Sequence, residues 1–247
     1  DILNEIEKVR KTGLTFAPEA GSQRLRDVIN KGVTEEDLIN TVKQVFKEGW
    51  STVKLYFMIG LPTETDEDVL GIKDLSYKVK DLFFSLPKEE RRGNLKVTAS
   101  ASCFVPKPFT PFQWVGQDKI ENFYRKARLL KDSIKDNKIS FSYHDPKLSY
   151  LEAVIARGDR RVSKLILRAW EKGCKYDGWS EHFKYDKWIE AMEELNIDGD
   201  FYALRTRDFD EILPWDFIDP LVSKKYLFKE YQKSLEGQTT RDCRQGC

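Results

Sequence analysis

Residues 14–22 read LTFAPEAGS and residues 54–65 read KLYFMIGLPTET, and these two stretches decide the fold. In each, a short apolar run leads through a turn containing Gly and Pro to Ser22 or Thr65, residue types that cap helices. This pattern is typical of a β-strand that passes into an α-helix. Because parallel α/β proteins bind ligands where strands end, both turns are candidate binding loops.

The same alternation continues along the first 145 residues. A helix is predicted in residues 2–9, and strands in residues 14–17, 52–59, 95–105 and 139–143, with helices between the strands. The strand at 52–59 is almost continuously apolar, so we expect it to be covered on both faces. The pattern predicts an α/β fold with parallel strands and outer helices, which is part of a barrel or a small doubly wound sheet.

The remaining sequence has a different character. Residues 146–236 contain clustered helical patterns separated by irregular loops, and residues 237–247 are polar and predicted to be flexible. We therefore divide the chain into an α/β part (1–145), a helical extension (146–236) and a tail that carries Cys243 and Cys247.

Composition narrows the class of protein. The 42 Lys and Arg residues nearly balance the 41 Asp and Glu residues, so no global charge attracts nucleic acid or an acidic membrane. The chain lacks an apolar run long enough to span a membrane, and its four cysteines are too few for a secreted disulfide framework. We expect a cytoplasmic protein with no membrane partner.

Taken in order and spacing, the two loops resemble the fourth and fifth strand exits of the partial (β/α)6 barrel of radical S-adenosylmethionine (SAM) enzymes. The matching segments are Glu19-Ala20-Gly21-Ser22, then Lys31, then Gly60-Leu61-Pro62-Thr63-Glu64-Thr65. Thr63 stands where relatives usually have Gly, and Tyr56 where some have Asp. The loop at 100–114, SASCFVPKPFTPFQW, is similar to the sixth exit. The longer match is to uncharacterised members of the family that often carry a cobalamin-binding-type domain.

The resemblance implies a set of cofactor contacts. Glu19 and Lys31 would meet the ribose or aminocarboxylate of SAM, with Ser22 at the adjacent helix start. Backbone near Met58 and Gly60 would meet the adenine, beside Tyr56, and Phe104 and Val105 would form an apolar wall. The full set of implied cofactor-binding residues is Glu19, Ser22, Lys31, Tyr56, Met58, Gly60, Phe104 and Val105.

The family also holds a [4Fe-4S] cluster on a CxxxCxxC run, and no such run occurs in this chain. The resemblance therefore implies that this is the part C-terminal to that motif, with the cluster ligands and the first barrel strands in the same parent protein or in a partner chain. The parent would be an enzyme, this chain alone would be inactive, and cobalamin could take part. Cys243 and Cys247 belong either to a metal site completed elsewhere or to a tail with free thiols.

Without neighbouring strands, the strand at 14–17 would present an unpaired edge, which predicts aggregation or a partner chain.

Several polar residues follow predicted strands or lie in the extension. His144 comes directly after a strand and is the candidate acid or base, or else a hydrogen-bonded turn residue. Substrate contacts are predicted for Lys107, Gln113, Arg157, Arg160 and Arg161, because cations and amides bind anionic or polar groups. Phe109 and Trp114 are further candidates for substrate contact, and Tyr150 and Trp170 are candidate stacking surfaces for RNA.

Two functions remain open. The first is the C-terminal part of a radical SAM enzyme that acts on an unknown substrate, such as RNA or protein. The alternative is a non-catalytic scaffold or RNA-binding module that uses the arginine-rich extension.

Overall fold

The structure is a computed structural model that describes residues 13–241. It consists of two compact units. Unit 1 contains the described residues 13–102, 125–143 and 234–241, and unit 2 contains residues 103–124 and 144–233. The loop after Cys103, assigned above to the α/β part, thus groups with unit 2. The predicted helix at 2–9 and the two tail cysteines, Cys243 and Cys247, lie outside the described residues.

Unit 1 is built on a four-stranded parallel sheet with the order β1-β2-β3-β4, which confirms the predicted fold class. The strands are β1 (Leu14–Glu19), β2 (Thr52–Ile59), β3 (Lys96–Cys103) and β4 (Ile139–Tyr143). Its helices are α1 (Gln23–Val28), α2 (Glu35–Lys47), α3 (Asp66–Ser85) and α4 (Ile120–Ser133), with a 3-10 turn at Lys88–Glu90. β3 and α4 cross the division between the units.

One face of this sheet is buried by helices. On β2 the side chains of Val53, Leu55, Phe57 and Ile59 are at most 1% exposed, as are Val97, Ala99 and Ala101 on β3. Helix α3 contacts β2 and β4, and α2 packs against α3, with the rings of Phe46 and Phe83 edge to face at 5.3 Å. The hydrophobic core of unit 1 therefore lies between the sheet and its helices.

The opposite face, which we call the open face, is polar. It carries Lys54, Tyr56 and Met58 of β2, and on β3 and β4 a run of hydroxyl side chains: Thr98, Ser100, Ser102, Ser140 and Ser142. Thr98 Oγ1 and Ser140 Oγ are 3.0 Å apart, and Ser142 donates to Ser100 across the same strand pair at 3.3 Å. Tyr56 is 38% exposed, so the expectation that β2 is covered on both faces is wrong for the described residues.

Strand β1 lies at one end of the sheet and pairs with β2 from Leu14 opposite Val53 to Glu19 opposite Phe57. The register shifts between Phe16 and Glu19, and Glu19 adopts a left-handed φ of 67°. Such a conformation is costly for a residue with a side chain and concentrates at functional sites. The irregularity turns the end of β1 into the first candidate loop.

Side chains cap three helix starts, at Ser22 and Thr65 as predicted and also at Thr34. The hydroxyl of Ser22 accepts from the Leu25 N–H, and Thr34 and Thr65 each form a capping box, with Asp37 and Asp68 respectively. Gly49, which follows the end of α2, has a left-handed φ of 86°, which favours glycine after a helix.

Unit 2 is mainly helical, as predicted for the extension. Its helices are α5 (Pro146–Arg157), α6 (Val162–Glu171), α7 (Tyr185–Glu194), α8 (Gly199–Ala203) and α9 (Lys224–Leu235), whose last two residues belong to unit 1. One hydrophobic core lies among the four helices from α5 through α8. A second core contains Trp114, Leu213, Trp215 and Leu227. No helix within residues 13–241 is long and apolar enough to cross a membrane.

Two glycines fix the first loop of unit 1 against α3. A Cβ added at Gly21 would lie 2.3 Å from the carbonyl oxygen of Asp68 and 2.4 Å from the nitrogen of Ile72, and one added at Gly71 would lie 2.9 Å from Gly21. The loop backbone therefore rests directly on the helix backbone. Gly21 is therefore required for this packing.

We predict that Gly21→Ala lowers the free energy of unfolding by about 2 kcal/mol, because the new methyl group meets backbone that cannot move aside. Urea unfolding followed by circular dichroism measures it. Gly32→Ala is the matched control, since a Cβ there meets nothing within 4 Å, and it should change the stability by less than about 0.5 kcal/mol. Equal effects of the two substitutions would contradict the packing argument.

Candidate functional site

The first loop brings together two residues predicted to bind cofactor. Lys31 Nζ lies 3.4 Å from Glu19 Oε1, and both side chains are about one third exposed, at 32% and 28%. Lys31 reaches this position because its N–H donates to the Arg26 carbonyl, which ends α1 in a tight turn. The pair is accessible and charged, and it offers both a cation and an anion to a ligand.

Arg26 stabilises the backbone of the first loop from a buried position. Its side chain is buried at 1% exposure, and Nη1 donates to the carbonyl of Ala20 at 2.9 Å. Burial lowers the pKa of Arg26, partly offset by the nearby carboxylates of Glu35 and Asp27. The guanidinium thus fixes the backbone between Glu19 and Ser22.

Asp68 joins the two candidate loops. Its carboxylate accepts hydrogen bonds from Ser22 Oγ and from the guanidinium of Arg24 in the first loop. It also accepts from the N–H of Thr65 at 2.8 Å at the start of α3. Burial by itself raises the pKa of a carboxyl, but hydrogen bonds from Arg24, Ser22 and Thr65 outweigh it and lower the pKa of Asp68 to about 2. The hydroxyl of Ser22 therefore donates its hydrogen bond within the protein, to Asp68.

The second loop is held by a buried ion pair. Glu64 Oε2 lies 2.8 Å from Lys126 Nζ of α4, with side-chain exposures of 2% and 9%. The same oxygen accepts the Gly60 N–H at 2.7 Å. Burial raises the pKa of Glu64, against the opposing effects of Lys126 and of the Gly60 and Leu61 N–H groups. The Gly60 donor that could have met adenine is therefore used to shape the loop.

Thr63 occupies a backbone position that favours glycine. Its φ is 64°, in the left-handed region where a Cβ is unfavourable. Arg24 compensates, since Nη2 donates to the Thr63 carbonyl at 2.8 Å and Nη1 to its hydroxyl at 3.2 Å. Both strand exits of the site thus contain a strained residue held by side chains.

Tyr56 and Met58 lie on the open face, on either side of the position that pairs with Glu19. The Tyr56 ring is covered on one side by Lys54, whose Nζ is 4.5 Å from the ring centroid. The structure therefore places Glu19, Tyr56 and Met58 at neighbouring positions of one sheet edge, with Lys31 against Glu19.

The remaining predicted cofactor residues belong to unit 2. Val105 is 9% exposed and packs into the core that joins α5 to α8, and Phe104 is 8% exposed with its ring edge to face with Phe112 at 5.8 Å. Each is buried within its own unit. Their contact with adenine stays a prediction.

The predicted substrate contacts fall into two groups. Lys107, Arg160 and Arg161 are exposed, although Lys107 pairs with Glu152 and Arg161 with Asp159. Gln113 and Arg157 are buried at 3% and 0% exposure. Gln113 accepts from the Trp215 indole at 2.7 Å, and Arg157 donates to the carbonyls of Ala203 and Arg205. Burial removes Gln113 and Arg157 from the surface that a substrate could reach, and we now regard them as residues that stabilise unit 2.

The exposure of their side chains distinguishes three further residues that were predicted to contact substrate or RNA. Trp114 is 2% exposed in the second core of unit 2, and Tyr150 is 7% exposed, so neither offers a ring to a ligand. Tyr150 donates its hydroxyl to Asp200. Trp170, at 56% exposure, does present its ring.

His144 follows β4 directly and its side chain is exposed. The structure gives its imidazole no hydrogen-bond partner among residues 13–241, and its role as an acid or base stays a prediction. Within the same range no group of three or more His, Cys, Asp or Glu residues could hold a metal ion. Cys103 and Cys174 are buried, and burial raises the pKa of Cys103 to about 12.

Sequence reasoning missed the residues that shape the loops: Arg24, Arg26, Glu64, Asp68 and Lys126. A Thr-x-x-Asp capping pattern at Thr65 could have indicated Asp68. The partners of the others come from distant positions in the chain, and no local pattern reveals them.

Three comparisons with known proteins bear on this site. Residues 1–75 match a family model described as the radical SAM superfamily. An uncharacterised protein of Methanocaldococcus jannaschii is 36% identical over 172 residues, which cover 67% of this chain and 35% of that protein. A tRNA-2-methylthio-N(6)-dimethylallyladenosine synthase of Pelotomaculum thermopropionicum is 29% identical over 147 residues, 58% of this chain and 28% of the relative. The chain spans about a third of the length of these relatives, and no solved structure matches it significantly.

We predict that Asp68→Asn costs about 2 kcal/mol of unfolding free energy at pH 7, because the folded pKa of about 2 lies below the usual 3.8. A depressed pKa contributes stability above pH 3.8 that is lost as the pH falls toward 2. The difference between wild type and variant should therefore shrink over that interval, as measured by urea unfolding at several pH values. Asp74→Asn, at an exposed position, is the control, and a difference that persists unchanged at pH 2 would refute the assignment.

A double-mutant cycle tests the buried Glu64–Lys126 pair. We expect Glu64→Gln or Lys126→Met alone to cost about 3 to 5 kcal/mol, since each leaves a buried group without its partner. The double variant should cost less than the sum of the two, because neither charge then remains buried. Additive losses in unfolding free energy would show that the two groups do not interact.

Proposed function

Because this chain belongs to the radical SAM superfamily, we propose that it forms the C-terminal part of a radical SAM enzyme and binds SAM at the exits of β1 and β2. The observation that carries the proposal is the Glu19–Lys31 pair. It lies beside the open face, at a strained strand exit, with both side chains accessible. Its position agrees with the segments that resemble the SAM-binding loops of the family.

The residues of this site suit the parts of SAM. The Lys31 ammonium would bind the carboxylate of the amino-acid part of SAM. The Glu19 carboxylate, no longer paired with Lys31, would then accept a hydrogen bond from a ribose hydroxyl or from the amino group. Tyr56 and Met58 would meet the adenosine part from the open face. Asp68, Glu64 and Arg26 would act by positioning, since they hold the two loops and do not face outward.

A reduced [4Fe-4S] cluster with bound SAM would supply radical chemistry, the removal of a hydrogen atom from a substrate. The described residues contain no set that fits such a cluster, so its ligands would come from outside them. In our proposal the missing barrel strands, in the same parent or a partner chain, provide the CxxxCxxC ligands and cover the open face. Participation of cobalamin stays a prediction, as does the cytoplasmic location.

The polarity of the open face supports this view. Parallel sheets are normally covered on both faces, and here one face is covered by helices while the other presents hydroxyl groups and Tyr56. A polar, partly exposed inner surface is what a barrel needs to hold a charged ligand.

We predict that Lys31→Ala weakens SAM binding by about 10- to 100-fold, which corresponds to the loss of one hydrogen bond to a charged group. Isothermal titration calorimetry with the purified chain measures the dissociation constant. Lys47→Ala, at an exposed lysine of α2, should bind as the wild type does.

If the Lys31→Ala and Lys47→Ala variants bind SAM equally well, the first loop does not bind the cofactor.

A second measurement tests whether the ligands of the cluster lie outside this chain. Anaerobic reconstitution with iron and sulfide should leave this chain without a stoichiometric cluster, and cluster binding together with SAM cleavage by the chain alone would contradict the placement of the ligands elsewhere.

A further inference from the structure

Unit 2 contains a cavity of about 370 Å³, and none of the residues that line it belongs to the proposed SAM site. It is lined by the start of α6, with Arg161 and Lys164, and by the segment from Leu195 to Tyr202, which contributes the ring of Phe201. A volume near the lower end of the range for small-molecule sites suits a ligand of nucleotide size. Its walls combine cations with aromatic rings.

Two cations, Arg161 and Lys164, and one carboxylate, Asp198, line this cavity. Four arginines surround α8: Arg157, Arg161, Arg205 and Arg207. Arg161 pairs with Asp159, and Arg205 forms a two-point pair with Glu211, with both bonds at 2.7 Å. Arg157 and Arg207 bond only to backbone carbonyls, and the Nε and Nη1 of Arg207 have no acceptor within residues 13–241. Burial and the neighbouring Arg207 and Arg205 lower the pKa of Arg157 to about 10.

The carboxylates near the cavity are already occupied. Asp198 caps α8 by accepting the N–H groups of Asp200 and Phe201, and Asp159 accepts from both Arg161 and the Tyr202 hydroxyl. Lys164 at the rim and the adjacent Arg160 are exposed, and neither has a carboxylate partner in the described part of the chain. Lys164 is therefore available to an anion from solution.

Phe201 provides a flat apolar surface at the same place. Its ring is 42% exposed, and the guanidinium of Arg205 lies over it at 4.5 Å from the centroid. An exposed aromatic ring near a cation without a carboxylate partner, here Lys164, is the combination by which proteins bind single-stranded nucleic acid, through stacking and phosphate contacts.

From this arrangement we propose that the cavity binds a nucleotide, with the phosphate at Lys164 and Arg161 and the base against Phe201. The nucleotide is either free or part of a single-stranded RNA, because both present the same phosphate and ring. The site uses none of the residues proposed to bind SAM.

The test uses the full 247-residue chain and a fluorescein-labelled, mixed-sequence RNA of about 12 nucleotides, followed by fluorescence anisotropy. We expect Lys164→Ala and Phe201→Ala each to weaken binding by about fivefold or more. Lys164→Ala should also lower the slope of log K against log salt concentration by about 0.7, the value for one phosphate contact on a single strand. Lys225→Ala, at an exposed lysine of α9 in the same unit, is the matched control and should bind as the wild type does.

Competition with unlabelled AMP distinguishes a free nucleotide from a strand of RNA as the ligand. Displacement of the RNA by unlabelled AMP would identify a single nucleotide as the recognised unit, and RNA binding that AMP does not displace would identify a strand. The proposal is overturned if neither RNA nor AMP binds, or if Lys164→Ala and Lys225→Ala have equal effects. It is also overturned if inorganic phosphate at the same ionic strength competes as well as AMP does, because the aromatic wall would then have no role. Circular dichroism of each variant checks its folding, and none of these outcomes depends on SAM binding.

Discussion

The carboxylate of Asp68 is the group on which the arrangement of both strand exits depends. It accepts hydrogen bonds from Ser22 and Arg24 of the first loop. It also completes the capping box of Thr65 at the start of α3. One buried anion therefore sets the distance between two loops that are remote in the chain. The contact of Gly21 with Gly71 allows this closeness, because side chains at either position would hold the loop and the helix apart.

Strain and its compensation recur at the same place. Glu19 and Thr63 both adopt left-handed backbone angles, at φ values of 67° and 64°, and each ends or follows a parallel strand. Thr63 is held by Arg24, and Glu19 is drawn toward Lys31. Left-handed residues that carry side chains concentrate at functional sites, which supports the proposed role of these two strand exits.

Local signals predicted much of this fold. The parallel strands and the caps at Ser22 and Thr65 each follow from residues close together in sequence. The Glu64–Lys126 pair and the packing of Gly21 on α3 could not be predicted, because they depend on which helix returns to which loop. Arg157 shows the same limit, since a charged residue in an arginine-rich run is usually exposed, whereas here it is buried among backbone carbonyls.

The two-sidedness of the sheet in unit 1 has an evolutionary consequence. Its stability comes from the apolar side chains on the helix side, such as Val53 and Leu55, while the hydroxyl groups opposite them contribute little to core packing. Substitutions on the polar side can therefore accumulate with little risk of unfolding. Relatives could diverge in what they accept on that surface while the architecture beneath it stays unchanged.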